Sequence, residues 1–414
     1  MNGDHKSLCV AIKRETTNPW ERRAPLAPRH VKFLSSNGIK VIVQPCNRRD
    51  YVVAGATISE DISKASLIIG IKASKIEDLL SNRTYAFFSH TVKSQPENMP
   101  LLGAILQKNI RLIDYEKIVD ENGHRTVMFG KWAGRVGMIN ILHGLGLRLL
   151  ALGFNTPLMH ISLAHNYHSY QKAKKDVQDV AEDIALGLMP RSLPPLIFVF
   201  TGNTDKVYGC VVSRADYICR KDGSGYYDEE EYSLHPELYE SNFAAKIAPY
   251  ASVIVNGIYW ERKFPRLIAS SDAQILLRDG KKARLMAVCD ISADSSGSME
   301  FMTKCTTIDR PFCIYDPERK MCSDSLDSPT GVLLCSIDNM PAQMPLESTD
   351  YFGDRLINYV FDMLLCSELT HLENFRSSVA IKNAVIASNG KLTPGFSYLA
   401  TEDQKGAISL SINM

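Results

Sequence analysis

Several things are scarce in this chain of 414 residues, and each absence excludes a class of function. No apolar run reaches the roughly 18 residues that a membrane-crossing helix needs, which argues against an integral helical membrane protein. Charge of one sign is never concentrated. Lys and Arg number 47 against 46 Asp and Glu, a net charge of +1, so there is no electrostatic footprint for nucleic acid or an anionic membrane surface. The partners to expect are small molecules. The ten cysteines, Cys9, Cys46, Cys210, Cys219, Cys289, Cys305, Cys313, Cys322, Cys335 and Cys366, form no CxxC pair and mostly sit in apolar strand-like runs. They read as reduced, buried thiols of an intracellular protein. His160, His165 and His168 invite a zinc reading, but the run Met159 to His168 holds no cysteine or carboxylate to complete a site, so no metal is expected. The opening Met1 to Lys6 carries neither an apolar signal core nor an arginine-rich amphipathic stretch, so no targeting segment is read there.

A further absence is more informative. The apolar run Leu196 to Phe200 arrives at Thr201-Gly202, where a nucleotide-binding loop would follow, and the chain continues instead as Asn203-Thr204-Asp205-Lys206 and then Val207-Tyr208-Gly209. A dinucleotide-binding unit needs a glycine-rich turn, a helix whose first N–H groups face the pyrophosphate, and a second strand, roughly 30 residues together. Four residues cannot supply them.

What is present reads as α/β. Strands are expected at Leu8–Ile12, Lys40–Gln44, Leu67–Ile71, Tyr85–Ser89 and Ile110–Tyr115, with helical connections at Arg29–Ser36, Ile62–Ala65 and Met99–Lys108. This βαβα rhythm predicts a doubly wound parallel sheet. A Gly- and Leu-rich helix over Trp132–Leu152 is expected to link to a second domain, followed by a polar helix over Tyr170–Leu188. Strands are then expected at Leu196–Phe200, Tyr208–Val212, Ser252–Asn256, Leu285–Asp290 and Gly331–Ile337, a surface loop with a short helix over Lys221–Glu240, and a helix over Tyr351–Leu365. The last 30 residues carry little signal.

Ligands of such sheets bind at the carboxyl ends of the strands. That rule singles out Lys13-Arg14-Glu15, Lys72 and His90, each directly after a strand. A lysine and a histidine sharing a cleft lower each other's proton affinity and suit acid–base work, although a solvated lysine and a hydrogen-bonded structural histidine are equally open readings. Arg14, Arg22, Arg23 and Arg125 offer guanidinium forks for a dicarboxylic acid, and Glu116 an anion for a substrate amine; each is also an ordinary surface group. Asp290-Ile291-Ser292-Ala293-Asp294 and Ser336-Ile337-Asp338-Asn339 close apolar runs with turn-forming residues, as strand ends facing a nicotinamide and ribose would.

Read in order, Lys13-Arg14-Glu15, Trp20-Glu21-Arg22-Arg23-Ala24-Pro25-Leu26-Ala27-Pro28, Ala86-Phe87-Phe88-Ser89-His90-Thr91, Leu112-Ile113-Asp114-Tyr115-Glu116, Phe129-Gly130-Lys131-Trp132-Ala133-Gly134, Cys289 to Asp294 and Ser336 to Pro341 resemble the lysine-ketoglutarate reductase family. This family forms the reductase half of the animal bifunctional alpha-aminoadipic semialdehyde synthases. The likeness runs from about Leu8 to about Lys391 and extends more weakly to fungal saccharopine dehydrogenases and the alanine dehydrogenase superfamily.

The resemblance implies two doubly wound Rossmann-like domains: a substrate domain of residues 1–130 plus 346–391, an incomplete nucleotide-binding domain of residues 131–345, and a tail of residues 392–414. It implies reductive condensation of L-lysine with 2-oxoglutarate to saccharopine, with NADPH as hydride donor. It makes Lys72 the proton acceptor and His90 the proton donor, with Arg14, Arg23, Gln95, Glu116, Arg125 and Phe129 at substrate-contacting positions. For Arg23 an internal ion pair remains the alternative. Gly202, Asp290, Ser292, Asp338 and Asn339 fall on cofactor-facing positions. By the same resemblance the site of action is the mitochondrion, with the cytoplasm as the alternative, and a saccharopine dehydrogenase module or a second copy is the macromolecular partner.

The chain departs from the family after Gly202, where the pyrophosphate loop, the first helix and the following strand are missing. Loss of an internal strand is expected to leave two facing strands with unpaired backbone groups and a fragile second domain. Intact flanks are what a skipped exon or a gene-model error leaves behind. Two other functions stay open: a pseudoenzyme that binds a dicarboxylic or amino acid without turnover, and another oxidoreductase of the alanine dehydrogenase superfamily.

Overall fold

The β-branched runs of the first 115 residues enter one sheet, and most of those between residues 195 and 335 enter another. The computed structural model describes residues 8–45, 50–201, 209–278, 284–328, 330–366 and 377–400. The chain divides into two units, Met1–Phe129 with Pro345–Met414, and Gly130–Met344.

In the first unit the strands lie in the order Lys391–Leu392, Val385–Ser388, Arg111–Asp114, Thr84–Phe88, Leu67–Lys72, Cys9–Ile12, Lys40–Val43 and Thr57–Ile58. The six strands from Arg111–Asp114 to Thr57–Ile58 are mutually parallel. Their residues are buried almost without alternation, because helices cover both faces of such a sheet. From Cys9–Ile12 the chain winds outward through Lys40–Val43 to Thr57–Ile58, then returns to the other side of Cys9–Ile12 at Leu67–Lys72. The winding therefore reverses between Cys9–Ile12 and Leu67–Lys72, where a crevice opens at the carboxyl ends of such strands.

Two helices of this unit are joined by one imidazole. Pro28–Ser36 begins with a proline whose fixed φ suits the first helical position. In its first turn His30 Nδ1 accepts the Ala27 N–H (3.0 Å), and Nε2 lies 3.0 Å from Asp354 Oδ1 of the helix Pro345–Leu365. A Cβ at Gly353 would come within 2.4 Å of the ring, so only glycine permits this approach. Burial lowers the His30 pKa, which keeps Nδ1 free to accept.

In the second unit the order is Met321–Ser323, Cys313–Asp316, Val332–Cys335, Ala287–Asp290, Val253–Asn256, Phe198–Thr201 and Cys210–Val212. The last five are parallel, and the first two form an antiparallel edge. The helix Lys131–Ala151, expected as a linker, packs inside this unit; at Gly146 a Cβ would come within 2.9 Å of the Leu158 backbone. No helix among the described residues is long and apolar enough to cross a membrane.

Four expectations need correction. Phe198–Thr201 does not face an empty slot: Val199, Phe200 and Thr201 pair in parallel register with Cys210, Val211 and Val212 on one side and with Val253–Asn256 on the other. A β-branched run close in sequence has taken the vacant edge. Ile62–Ala65 is a turn closed by the Ala65 N–H to the Ile62 carbonyl (3.0 Å), with Asp61 accepting from the Ser63 N–H (2.8 Å), because local aspartate bonding competes with a helix. Val385–Ser388, in the stretch of little signal, joins the first sheet antiparallel to Arg111–Asp114. Within Lys221–Glu240, the helix Glu229–Leu234 is accompanied by a strand, Tyr239–Ser241, antiparallel to Ile218–Arg220.

Candidate functional site

In the first unit the expected residues gather at the carboxyl ends of neighbouring parallel strands. Lys72 closes Leu67–Lys72 and is the register partner of Phe88, two residues before His90. His90 follows Thr84–Phe88 in a left-handed conformation (φ 56°), which costs energy for a residue with a Cβ and is commonest where a side chain must be aimed. Glu116 follows Arg111–Asp114, is mostly buried, and lies 3.5 Å from Arg125 Nη2. At the winding reversal Glu15 accepts the N–H groups of Ile71 (2.6 Å) and Lys72 (3.1 Å) and pairs with Lys13 Nζ (3.3 Å), so it ties the two central strands together.

The remaining expected residues are placed less uniformly. Arg14 is exposed, and its fork grips the Glu60 carboxylate at 3.0 and 3.1 Å. Gln95 is exposed and accepts from Asn98 Nδ2 (3.1 Å). Phe129 is half-buried and stacks on Phe352 with centroids 4.7 Å apart. Arg23 stands apart from the others: it is 5% exposed, its fork is filled by Glu21 (2.7 and 2.5 Å), and its guanidinium lies 4.1 Å from the Phe129 ring centre. The geometry is that of the internal ion pair, not of a fork held open for a ligand.

Sequence reasoning gave Asp114 no role. It is fully buried at the end of its strand, and it accepts from the Ser89 N–H (3.0 Å), the Ser89 hydroxyl and the Glu116 N–H (2.8 Å). Burial pushes its carboxyl up to about 6. The available signal was an aspartate closing an apolar strand, a position otherwise expensive to bury.

In the second unit a polar ladder crosses three strand ends in register. Thr201 Oγ1 donates to Asn256 Oδ1 (2.7 Å), and Asn256 Nδ2 donates to Asp290 Oδ1 (2.9 Å) and Ser298 Oγ (2.9 Å). Ser292 adds its N–H (3.2 Å) and hydroxyl (2.6 Å) to the same Asp290 oxygen. Asp338 and Asn339 follow the adjacent strand Val332–Cys335, exposed and half-buried respectively. Gly202 lies outside the described residues. Asn256, which was not singled out from sequence, is the hub of the ladder.

Asp290 Oδ2 is buried with no hydrogen-bond partner among the described residues. The carboxyl is pushed up to about 6, first by desolvation. A folded-state pKa above the unfolded value of about 3.9 gives a contribution to stability that is full below pH ~4 and lost as the pH rises through ~6. Asp290→Asn keeps one accepting oxygen and removes the buried charge. It is expected to raise the unfolding free energy at pH 7 by about 1–3 kcal/mol and to flatten its decline between pH 4 and 6, as read by urea unfolding across that range.

These strand ends test the fit of a nicotinamide dinucleotide. The in-register polar edge and the orphaned Asp290 oxygen suit the ribose and nicotinamide end. Between Thr201 and Cys210, however, the chain has eight residues, too few for a phosphate loop and its helix. Among the described residues no group of three or more His, Cys, Asp or Glu could hold a metal ion.

Residues 11–136 match the family model of the alanine dehydrogenase/PNT N-terminal domain. The fold matches an L-alanine dehydrogenase (TM-score 0.57, 14% identity, 95% of this chain and 99% of the other). It also matches a transhydrogenase from Sinorhizobium meliloti (TM-score 0.56, 12% identity, 93% and 100%). The class is therefore an α/β protein of the alanine dehydrogenase/transhydrogenase-like fold.

In sequence the chain is 49% identical over 461 residues to the mitochondrial alpha-aminoadipic semialdehyde synthase of Bos taurus, across 99% of this chain and 50% of the relative. It is 36% identical to the Arabidopsis thaliana alpha-aminoadipic semialdehyde synthase, across 94% and 41%. It is 26% identical to a saccharopine dehydrogenase [NAD(+), L-lysine-forming] of Neurospora crassa, across 83% and 88%. The likeness to the lysine-ketoglutarate reductase part of these synthases, first read from the motifs, thus holds over nearly the whole chain. The chain spans about half the length of the synthases it matches, and at least 47 of the 461 positions aligned with the bovine protein have no residue here.

Proposed function

We propose that the first unit binds the substrates of a lysine-ketoglutarate reductase and that the chain as it stands holds NADPH poorly. The observation that carries the first half is the placement of Lys72, His90 and Glu116 at the carboxyl ends of adjacent parallel strands, with Arg125 paired to Glu116, in a chain similar to alpha-aminoadipic semialdehyde synthase. The observation that carries the second is the eight-residue span after Thr201.

In this reading the ε-amine of L-lysine attacks the ketone of 2-oxoglutarate, water leaves, and the resulting imine is reduced to saccharopine. Lys72 accepts the proton that the amine must lose before it attacks. His90 donates a proton to the ketone oxygen as it leaves as water. Arg14 and Arg125 receive substrate carboxylates, and the Glu60 carboxylate that now fills the Arg14 fork occupies the position such a group would take. Glu116 also suits the substrate's ammonium, Gln95 offers an amide, and Phe129 a flat apolar wall. Asp290, Ser292, Asp338 and Asn339 suit the nicotinamide end of NADP, which supplies the hydride when bound. The mitochondrion is the proposed site of action, after the bovine relative, with the cytoplasm as the alternative. A saccharopine dehydrogenase module or a second copy is the proposed protein partner.

The pairing of Phe198–Thr201 on both sides favours one further reading, a folded pseudoenzyme that binds an amino or dicarboxylic acid without turnover. Mixing the purified chain with lysine, 2-oxoglutarate and NADPH and following the reduced nicotinamide absorbance tests what the two share, the loss of turnover with the missing segment. Little or no oxidation is expected; turnover at a normal enzymatic rate would contradict the reading of the gap.

A further inference from the structure

The loop that carries His90 and the turn that carries Glu116 have one anchor in common. Asp114 Oδ2 accepts both the N–H and the hydroxyl of Ser89, and Asp114 Oδ1 accepts the N–H of Glu116 (2.8 Å). The Ser89 hydroxyl also lies 2.8 Å from Thr91 Oγ1 and accepts the Thr91 N–H (3.2 Å), so the residues on both sides of His90 are tied down. Ser89, Thr91 and Asp114 are all buried, whereas His90 and Glu116 are partly exposed. A left-handed φ at a residue with a Cβ persists only when its surroundings over-determine it, and this hydroxyl–carboxylate network is such a surrounding.

We infer that Asp114 is a positioning residue of the substrate site: through Ser89 it fixes the direction of His90, and through its second oxygen it fixes Glu116. This rests on the substrate reading above. Asp114 touches no reacting group itself. A carboxylate is required because donors face both of its oxygens, and an amide turns one of them into a donor aimed at an N–H.

The test uses the full chain and saccharopine as the probe, titrated calorimetrically well below the unfolding temperature. Asp114→Asn is expected to weaken binding by tenfold or more, about the loss of one or two charge-assisted hydrogen bonds, with the circular dichroism spectrum retained. Ser89→Ala keeps the buried carboxylate and cuts only the His90 branch; it is expected to weaken binding by about three- to tenfold. If Ser89 acts through His90, that penalty disappears when Ser89→Ala is made in a His90→Gln background. A purely structural role would instead lower stability and leave the dissociation constant unchanged. Normal binding by both single variants, or a Ser89→Ala penalty undiminished in the His90→Gln background, would overturn the assignment. Should Asp114→Asn fail to fold, Ser89→Ala and its double variant decide alone. Failure of the unsubstituted chain to bind saccharopine is a different outcome: it removes the substrate reading, and the role given to Asp114 with it.

Discussion

A version of this chain that carries the corresponding segment of its relatives after Gly202 is expected to bind NADPH at least about a hundredfold more tightly than the chain itself. The physical basis is the pyrophosphate. A dinucleotide places two negative phosphates against backbone N–H groups at a helix N-terminus, where unsatisfied donors and the helix dipole both favour negative charge. Hydrogen bonds to charged groups contribute roughly 1.5–3 kcal/mol each, so losing two of them costs about 3–6 kcal/mol, a factor of ~10² to 10⁴. At least 47 aligned positions of the bovine relative are unfilled here, enough for the loop, helix and strand that such a unit needs. The neighbouring strand ends are already in place: Thr201, Asn256, Asp290 and Ser292 form one hydrogen-bonded ladder. Fluorescence or calorimetric titration of both versions with NADPH measures the difference. Equal affinities would mean that the missing segment contributes nothing to cofactor binding.

Arg23→Ala is expected to destabilise the first unit by about 3–5 kcal/mol, a large share of a net stability of about 5–15. The Arg23 and Glu21 side chains are 3% and 0% exposed, and they meet in a two-pronged pair. Removing the guanidinium leaves the Glu21 carboxylate buried without its partner, which costs far more than the pair contributes net. The same change strips a cation from the face of Phe129, whose ring packs with Phe88 and Phe352. Loss of that contact adds about 0.5–2 kcal/mol. Replacing both partners by apolar residues of similar size, Arg23→Met with Glu21→Leu, is expected to restore most of the loss, since no charge is then stranded. Urea unfolding, monitored by hydrogen exchange in the strand Thr84–Phe88, reads the first unit separately. A single-variant cost below about 1 kcal/mol would show that the pair is not buried as described.

The alternating rhythm of short apolar runs made the first sheet legible, because parallel strands buried on both faces leave near-continuous hydrophobic signals such as Leu67 to Ile71. The strand-end rule singled out Lys13-Arg14-Glu15, Lys72 and His90 without reference to any relative. Three features lay beyond local reading. Val385–Ser388 joins the sheet through a partner some 270 residues earlier, and an isolated strand of four residues carries no pattern of its own. Cys210–Val212 beside Phe198–Thr201 depends on which neighbour is missing, so propensity alone assigned the strand and not its partner. Asp114 and Asn256 belong to buried polar networks whose partners converge only in three dimensions. A sequence shows the costly residue and not what satisfies it.

The most direct measurement is a pair of calorimetric titrations on one preparation of this chain, one with saccharopine and one with NADPH. A retained substrate unit and a lost phosphate site predict saturable binding of saccharopine and none of NADPH up to about 1 mM. Saturable micromolar binding of NADPH, or no binding of saccharopine by the folded chain, would contradict it.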